Sequence, residues 1–389
     1  MSDIVAPFSN HLPVRIRFGD GVARELPQIA VDAGARKALA IVDDGLEWIN
    51  PPVGEVLAAL AAAGVEVVRC SKAPGEPQSA DIDATAAELR ASGAGLVVAI
   101  GGGSVIDTAK AARLCAQRGL TFAAFLDSDR AVPPADVLLI AMPTTAGTGS
   151  EVSGGAVVTD DRSGRKAGIA SPYLRADHAL VDPVLTHSTP PTTTAFSGVD
   201  AIAQAIAGMI ARTRTPIGDA IALEAIRLGA RALVPAHRDG SDVAARSEMA
   251  CASLLAGLTM NISDCAAEHS LAQAIGGRTG APHGLTVGLV LAETLERERR
   301  FVPGQLERVA DALGAPADGS ADGGRAVRAV RELLRDLDFP VLGSLVDSGD
   351  LDDLTQQAMG DFFITQSPRP WSEAEVRAAF EEALARPGR

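Results

Sequence analysis

The sequence predicts a two-part α/β protein: a parallel sheet covered by helices over residues 1–187, then an all-helical part over residues 188–389. Three observations carry this prediction. Through the first half, short β-branched runs alternate with Ala-rich amphipathic stretches, and fully apolar strands belong to parallel sheets covered on both faces. After HALVDPVLTHSTPPTTTA the strand signals stop. From about Ala195 onward helical periodicity dominates, so the Pro-rich break at 186–191 is the best boundary.

In chain order, KALAIVDD, VEVVRC, GLVVAIGGG and VLLIAMPTT read as strands. EVLAALAAAG, ADIDATAAELRASG and VIDTAKAARLCAQRG read as the helices between them. The polar VVTDDRSGRKAGIASP carries a hairpin turn at DDRSG. Helical periodicity then runs through TAFSGVDAIAQAIAGMIA, IGDAIALEAIRLGARALVPA, AARSEMACASLLAGLTMN, EHSLAQAIGG, RAVRAVRELLRDL and SEAEVRAAFEEALA. DGSADGG at 318–324 is a loop.

Composition removes several function classes. The net charge of −14 repels phosphate backbones, and 3% aromatic residues leave little for base stacking, so no nucleic-acid partner is expected. No apolar run reaches the roughly 18 to 20 residues of a membrane span. The N-terminus shows no basic stretch followed by an apolar core, so a cytoplasmic location is expected. Cys70, Cys115, Cys251 and Cys265 lack a CxxC spacing and read as reduced core thiols.

Two motifs carry chemistry. In GLVVAIGGGSVIDTAK, an apolar strand runs into Gly101, Gly102 and Gly103, then Ser104 and a helix bearing Asp107. Glycines admit close backbone approach, and a helix N-terminus offers free N–H groups to a diphosphate. The motif is neither GxGxxG nor GxxxxGKS. A second cluster, IAMPTTAGTGSEVS, leaves another strand with Thr144, Thr145, Thr148 and Ser150, hydroxyls suited to ribose or nicotinamide. Asp43, ending the LAIVDDG strand, suits a ribose 2′-hydroxyl and repels a 2′-phosphate, which favours NAD over NADP.

GGGSVIDTAK and PTTAGTGSE, in this order and spacing, resemble the iron-containing (group III) alcohol dehydrogenase family, and the likeness continues through DPVLT, GVDA and HGL. The resemblance implies the dehydroquinate synthase-like fold. It also implies an N-terminal nucleotide-binding domain, a helical domain, and a cleft for NAD(P) and a divalent metal, Fe(II) or Zn(II). It assigns metal ligands to Asp200, Gln204, His269 and His283, a nicotinamide neighbour to Gln273, an orienting role to Asp107 and a place near the ribose to Lys166.

Gln204 and Gln273 stand where the family commonly has His. A Gln carbonyl is a weaker, harder donor than imidazole, so weaker metal binding is expected, with Asp200, His269 and His283 still able to form a three-ligand site. His11, His178, His187 and His237 lack such support and read as surface or loop residues. Arg278 is either an anion handle beside His283 or a solvated surface residue.

The reading that follows is a cytoplasmic NAD-dependent, metal-dependent alcohol dehydrogenase or aldehyde reductase. It acts on a small-molecule alcohol or aldehyde and forms a homodimer or larger homo-oligomer. The alternatives are a metal-independent reductase resembling maleylacetate reductase, a lyase resembling dehydroquinate synthase, and a non-catalytic nucleotide-binding homologue.

Overall fold

The computed structural model describes residues 7–386. Residues 1–6 and 387–389, and with them the start of the N-terminus read above as leaderless, lie outside the described residues. The chain divides into two compact units. One comprises Pro13–Pro190 with Gly240–Ala250; the other comprises the described residues before Pro13, Pro191–Asp239 and the chain from Cys251 onward.

The first unit contains β1 (Arg15–Phe18), α1 (Leu26–Asp32), β2 (Lys37–Asp43), α2 (Leu46–Ile49), α3 (Pro51–Ala62), β3 (Glu66–Lys72) and α4 (Ser79–Ser92). It continues with β4 (Leu96–Gly101), α5 (Gly103–Arg118), α6 (Phe122–Leu126), β5 (Leu138–Pro143), β6 (Gly155–Asp160), β7 (Arg165–Ala170) and β8 (His178–Val181). Six strands form a parallel sheet in the order β1-β8-β5-β4-β2-β3. The alternation of side chains along each strand explains the unbroken apolar runs. Ala40, Val42, Val98, Ile100 and Met142 pack on one face with Val53, Leu57 and Leu60 of α3. Leu39, Ile41, Val97, Ala99 and Ala141 pack on the other with Leu89 of α4 and Val105, Ile106 and Ala109 of α5.

β6 and β7 pair as an antiparallel hairpin whose turn is DDRSG, closed by the Gly164 N–H donating to the Asp160 carbonyl at 2.8 Å. His178 corrects one expectation: it is the first residue of β8, half-buried, with its Nδ1 3.0 Å from Arg17 Nη1. Its pKa is lowered, first by burial and then by Arg17 and Arg15.

The helices of the second part are α7 (Pro191–Ile210), α8 (Pro216–Arg238), α9 (Val243–Ser263), α10 (Ala267–Thr279), α11 (His283–Glu298), α12 (Pro303–Ala312), α13 (Gly324–Asp336), α14 (Leu351–Met359) and α15 (Glu373–Leu384). The first turns of α9 group with the sheet unit. Close packing depends on glycine, because a Cβ at Gly198 would overlap Leu233, one at Gly208 would overlap Thr259, and one at Gly284 would overlap the Phe196 carbonyl oxygen. The core of α10, α11, α14 and α15 gathers Leu271, Ile275, Leu289, Leu354 and Phe380. No single described helix is long and apolar enough to cross a membrane.

Candidate active site

In the sheet unit, the chain reverses its direction of strand addition between β2 and β4. β3 lies beyond β2, while β5 lies on the far side of β4. Ligands of open α/β sheets bind outside the carboxyl ends of strands at such a switch. Here those ends carry Asp43 and Gly101. Burial raises the pKa of Asp43, against the Lys72 ammonium and the nearby Gly102 N–H, which lower it. Thr144 lies one strand over, its N–H donating to the Gly101 carbonyl at 3.0 Å, so the three strand ends join into one rim.

The three glycines serve different ends. None has a positive φ among the described residues. A Cβ on Gly101 would lie 2.5 Å from Val105, and one on Gly103 would lie 2.6 Å from Thr148 Oγ1, so these two are glycine because the protein's own side chains need the space. Gly102 alone has its nearest neighbour, Thr145 Oγ1, at an ordinary 3.4 Å. It is the N-cap of α5 and offers no side-chain cap to the first N–H groups. The helix therefore starts with donors and a favourable dipole directed at the rim.

Asp107 braces this rim. One carboxylate oxygen accepts from Ser150 Oγ at 2.5 Å, and the other accepts from the Val157 N–H at 3.0 Å. Lys110 is fully buried and donates to Ser150 Oγ, Ser153 Oγ and the Gly155 carbonyl at 2.8–3.0 Å. Burial pushes its pKa down and Asp107 opposes this. Lys166 lies on β7, with its ammonium 3.0 Å from Glu76 Oε2.

The second cluster lies entirely in the helical unit. Spacing of four puts Asp200 and Gln204 on one face of α7. His269 comes from the first turn of α10, and His283 is the first residue of α11. Asp200 Oδ1 lies 3.8 Å from His269 Nε2 and 3.7 Å from His283 Nε2. Gln204 Nε2 donates to Asp200 Oδ2 at 3.1 Å. Among the described residues, His269 Nε2 and Gln204 Oε1 are buried with no hydrogen-bond partner. Two unpaired acceptor-capable atoms beside a buried carboxylate fit a cation, and one ligand atom each from Asp200, His269 and His283 lies within 4.8 Å of the others.

Sequence reasoning missed the residues that hold this cluster in place. Gly284 permits contact between the start of α11 and the Phe196 backbone, which brings His283 to Asp200. Glu268, only 1% exposed, accepts from the His269 ring at Nδ1, 2.9 Å away. The only signal for it was an acid beside a proposed ligand inside an otherwise apolar stretch. Gln273 follows His269 by one helical turn, half-buried. Arg278 is exposed and ion-paired with Asp350 at 2.8 Å, which supports the surface reading. Cys115 and Cys265 are buried, whereas Cys70 and Cys251 are only partly so.

A parallel-sheet unit with a glycine rim, followed by a helical unit with a carboxylate–imidazole cluster, defines the dehydroquinate synthase-like fold. The profile for iron-containing alcohol dehydrogenase matches residues 13–183, and that for the C-terminal part of the Fe-containing alcohol dehydrogenase family matches residues 194–384. The chain belongs to the iron-containing alcohol dehydrogenase family and is an oxidoreductase acting on CH–OH groups. It is 32% identical over 372 residues to a choline dehydrogenase of Bacillus subtilis, covering 93% of this chain and 91% of that protein. A crystal structure of a 1,3-propanediol oxidoreductase superposes with a TM-score of 0.93 at 29% identity, covering 97% of this chain and 100% of that one. A sulfoacetaldehyde reductase from Bifidobacterium kashiwanohense, solved with NAD+, gives 0.88 at 28% identity, covering 98% and 99%.

Proposed function

We propose that the chain is an NAD-dependent, metal-dependent alcohol dehydrogenase or aldehyde reductase acting on a small alcohol or its carbonyl product. The observation that carries this reading is the convergence of Asp200 Oδ1 with His269 Nε2 and His283 Nε2 in a buried setting. Asp200, His269 and His283 would hold a divalent cation, with Gln204 Oε1 as a fourth, weaker donor. Fe(II) and Zn(II) suit the two imidazoles. A cation held there supplies Lewis acidity toward the substrate oxygen, while the nicotinamide carries the hydride.

The remaining work belongs to the chain's own groups. Gly102, Gly103 and Ser104 at the α5 N-terminus would bind the diphosphate, and the Asp43 carboxylate would accept from a ribose hydroxyl. Thr144, Thr145 and Thr148 would orient the nicotinamide half. Asp107 keeps Ser150 and Val157 in register behind them, without proton transfer. Gln273 has no titrating group, so it would take no proton from the substrate hydroxyl. In the cell we place the enzyme in the cytoplasm, as a homodimer or larger homo-oligomer.

Metal analysis of the purified protein, followed by NADH-linked reduction of an aldehyde panel, tests this reading. Bound Fe(II) or Zn(II) is expected, with Asp200→Ala and His283→Ala losing both the metal and turnover. Turnover by metal-free wild-type protein that also persists in Asp200→Ala removes the metal reading and leaves the metal-independent reductase.

A further inference from the structure

We infer that Glu268 is a positioning residue for the cation-binding cluster, fixing the His269 ring with Nδ1 protonated and Nε2 presented to Asp200 and His283. This rests on the metal reading above. The geometry is specific at both ends of the ring. Nδ1 lies 2.9 Å from Glu268 Oε1, and Nε2 lies 3.8 Å from Asp200 Oδ1 with no hydrogen-bond partner among the described residues. A carboxylate accepts and never donates when ionised, so the ring proton belongs on Nδ1 and the lone pair on Nε2. The ring plane is held as well, by the Phe363 edge at a centroid distance of 5.8 Å and by His283 at 5.4 Å.

Glu268 is itself anchored. Its Oε1 also accepts from the Ala266 N–H at 3.2 Å, and the adjacent Ala267 N–H donates to Ser367 Oγ at 3.0 Å. Its place in the first turn of α10 favours negative charge through the helix dipole. Glu268 thus adds a negative charge one imidazole away from the cation position. Fixing the ring in this way matters most in a cluster whose fourth donor is an amide carbonyl. The competing role for the same contacts is a helix cap alone.

The two roles separate by measurement. Apo protein prepared by chelation is titrated with Co(II) or Zn(II) against a chromophoric chelator, alongside Glu268→Gln and Glu268→Val. Loss of the charge alone in E268Q is expected to weaken metal binding about tenfold, and loss of the acceptor in E268V about 100-fold. The Co(II) absorption bands should shift in parallel, while NADH binding stays unchanged. Wild-type affinity in both variants overturns the inference while leaving the metal reading intact; failure of the unsubstituted protein to take up metal overturns both. Should either variant fail to fold, ¹⁵N chemical shifts of the histidine rings in unsubstituted apo protein decide the matter, because a His269 ring protonated at Nε2 overturns the assignment.

Discussion

At Gln204 the amide divides its two functions: the nitrogen donates to Asp200 Oδ2, and the buried carbonyl oxygen has no partner among the described residues. The first contact orients the carboxylate, so that Asp200 Oδ1 is the oxygen near both imidazoles. An imidazole in place of the amide supplies a stronger donor for Fe(II) or Zn(II). Gln204→His is therefore expected to tighten metal binding about tenfold or more, measured by chelator competition. Unchanged affinity means that position 204 contributes no donor. The family resemblance points to this residue pair, and the spacing of four adds that both side chains share a helical face. Glu268 was not legible, since an acid in the first turn of a helix is ordinary and only the fold reveals that its carboxylate meets a ring nitrogen.

Elements were legible in proportion to their periodicity. β4 and β5 are apolar throughout and end in glycine or proline, and β2 holds the unbroken apolar run Ala38–Val42 between Lys37 and Asp43, so all three stand out. β1, with the sequence RIRF, is a four-residue edge strand carrying two arginines, and β8 is equally short, so neither offers enough alternation to be read. α11 escaped for the opposite reason. Leu285 through Leu295 are buried on every side, and a helix buried all round has no polar face to set a period. Its Gly and Val content also weakens helix propensity. Yet α11 delivers His283, and Gly284 sets how closely it approaches α7. Gly284→Ala places a methyl group on the Phe196 carbonyl oxygen. We expect a loss of about 1–3 kcal/mol in stability and weaker metal retention, read by thermal unfolding and metal content. A variant with wild-type stability and metal content shows that the α7–α11 contact has slack.

For the molecule as a whole, buried carboxyls add a pH dependence that neither composition nor net charge reveals. Glu298 is 1% exposed, receives the Trp371 Nε1–H at 2.5 Å, and is pushed up to about 7, chiefly by burial, with Glu268 adding to the rise and Trp371 and Arg369 opposing it. A carboxyl whose folded pKa lies above its unfolded value favours the folded state fully below the unfolded pKa of about 4.3. That contribution is lost as pH rises through about 7. Glu298→Gln, neutral at every pH, should therefore gain a few degrees in melting temperature relative to wild type between pH 5 and pH 8. A constant difference across that range means Glu298 is ionised in the folded protein. The order of a sheet part followed by a helical part was readable from the alternation and its end; the return of Gly240–Ala250 to the sheet unit was not, because nothing in a helical sequence marks which body it packs on.

Lys110 has a consequence of a different kind. Its amine sits at 0% exposure among two serine hydroxyls, a backbone carbonyl and Asp107. Acylating reagents need a free, solvent-reached amine, so they meet this one only when the floor beneath the glycine rim comes apart. Lys110 is thus a built-in chemical clock for local opening of the nucleotide-side unit, and the rate at which it becomes labelled, with and without dinucleotide, measures how firmly a bound cofactor holds that floor shut.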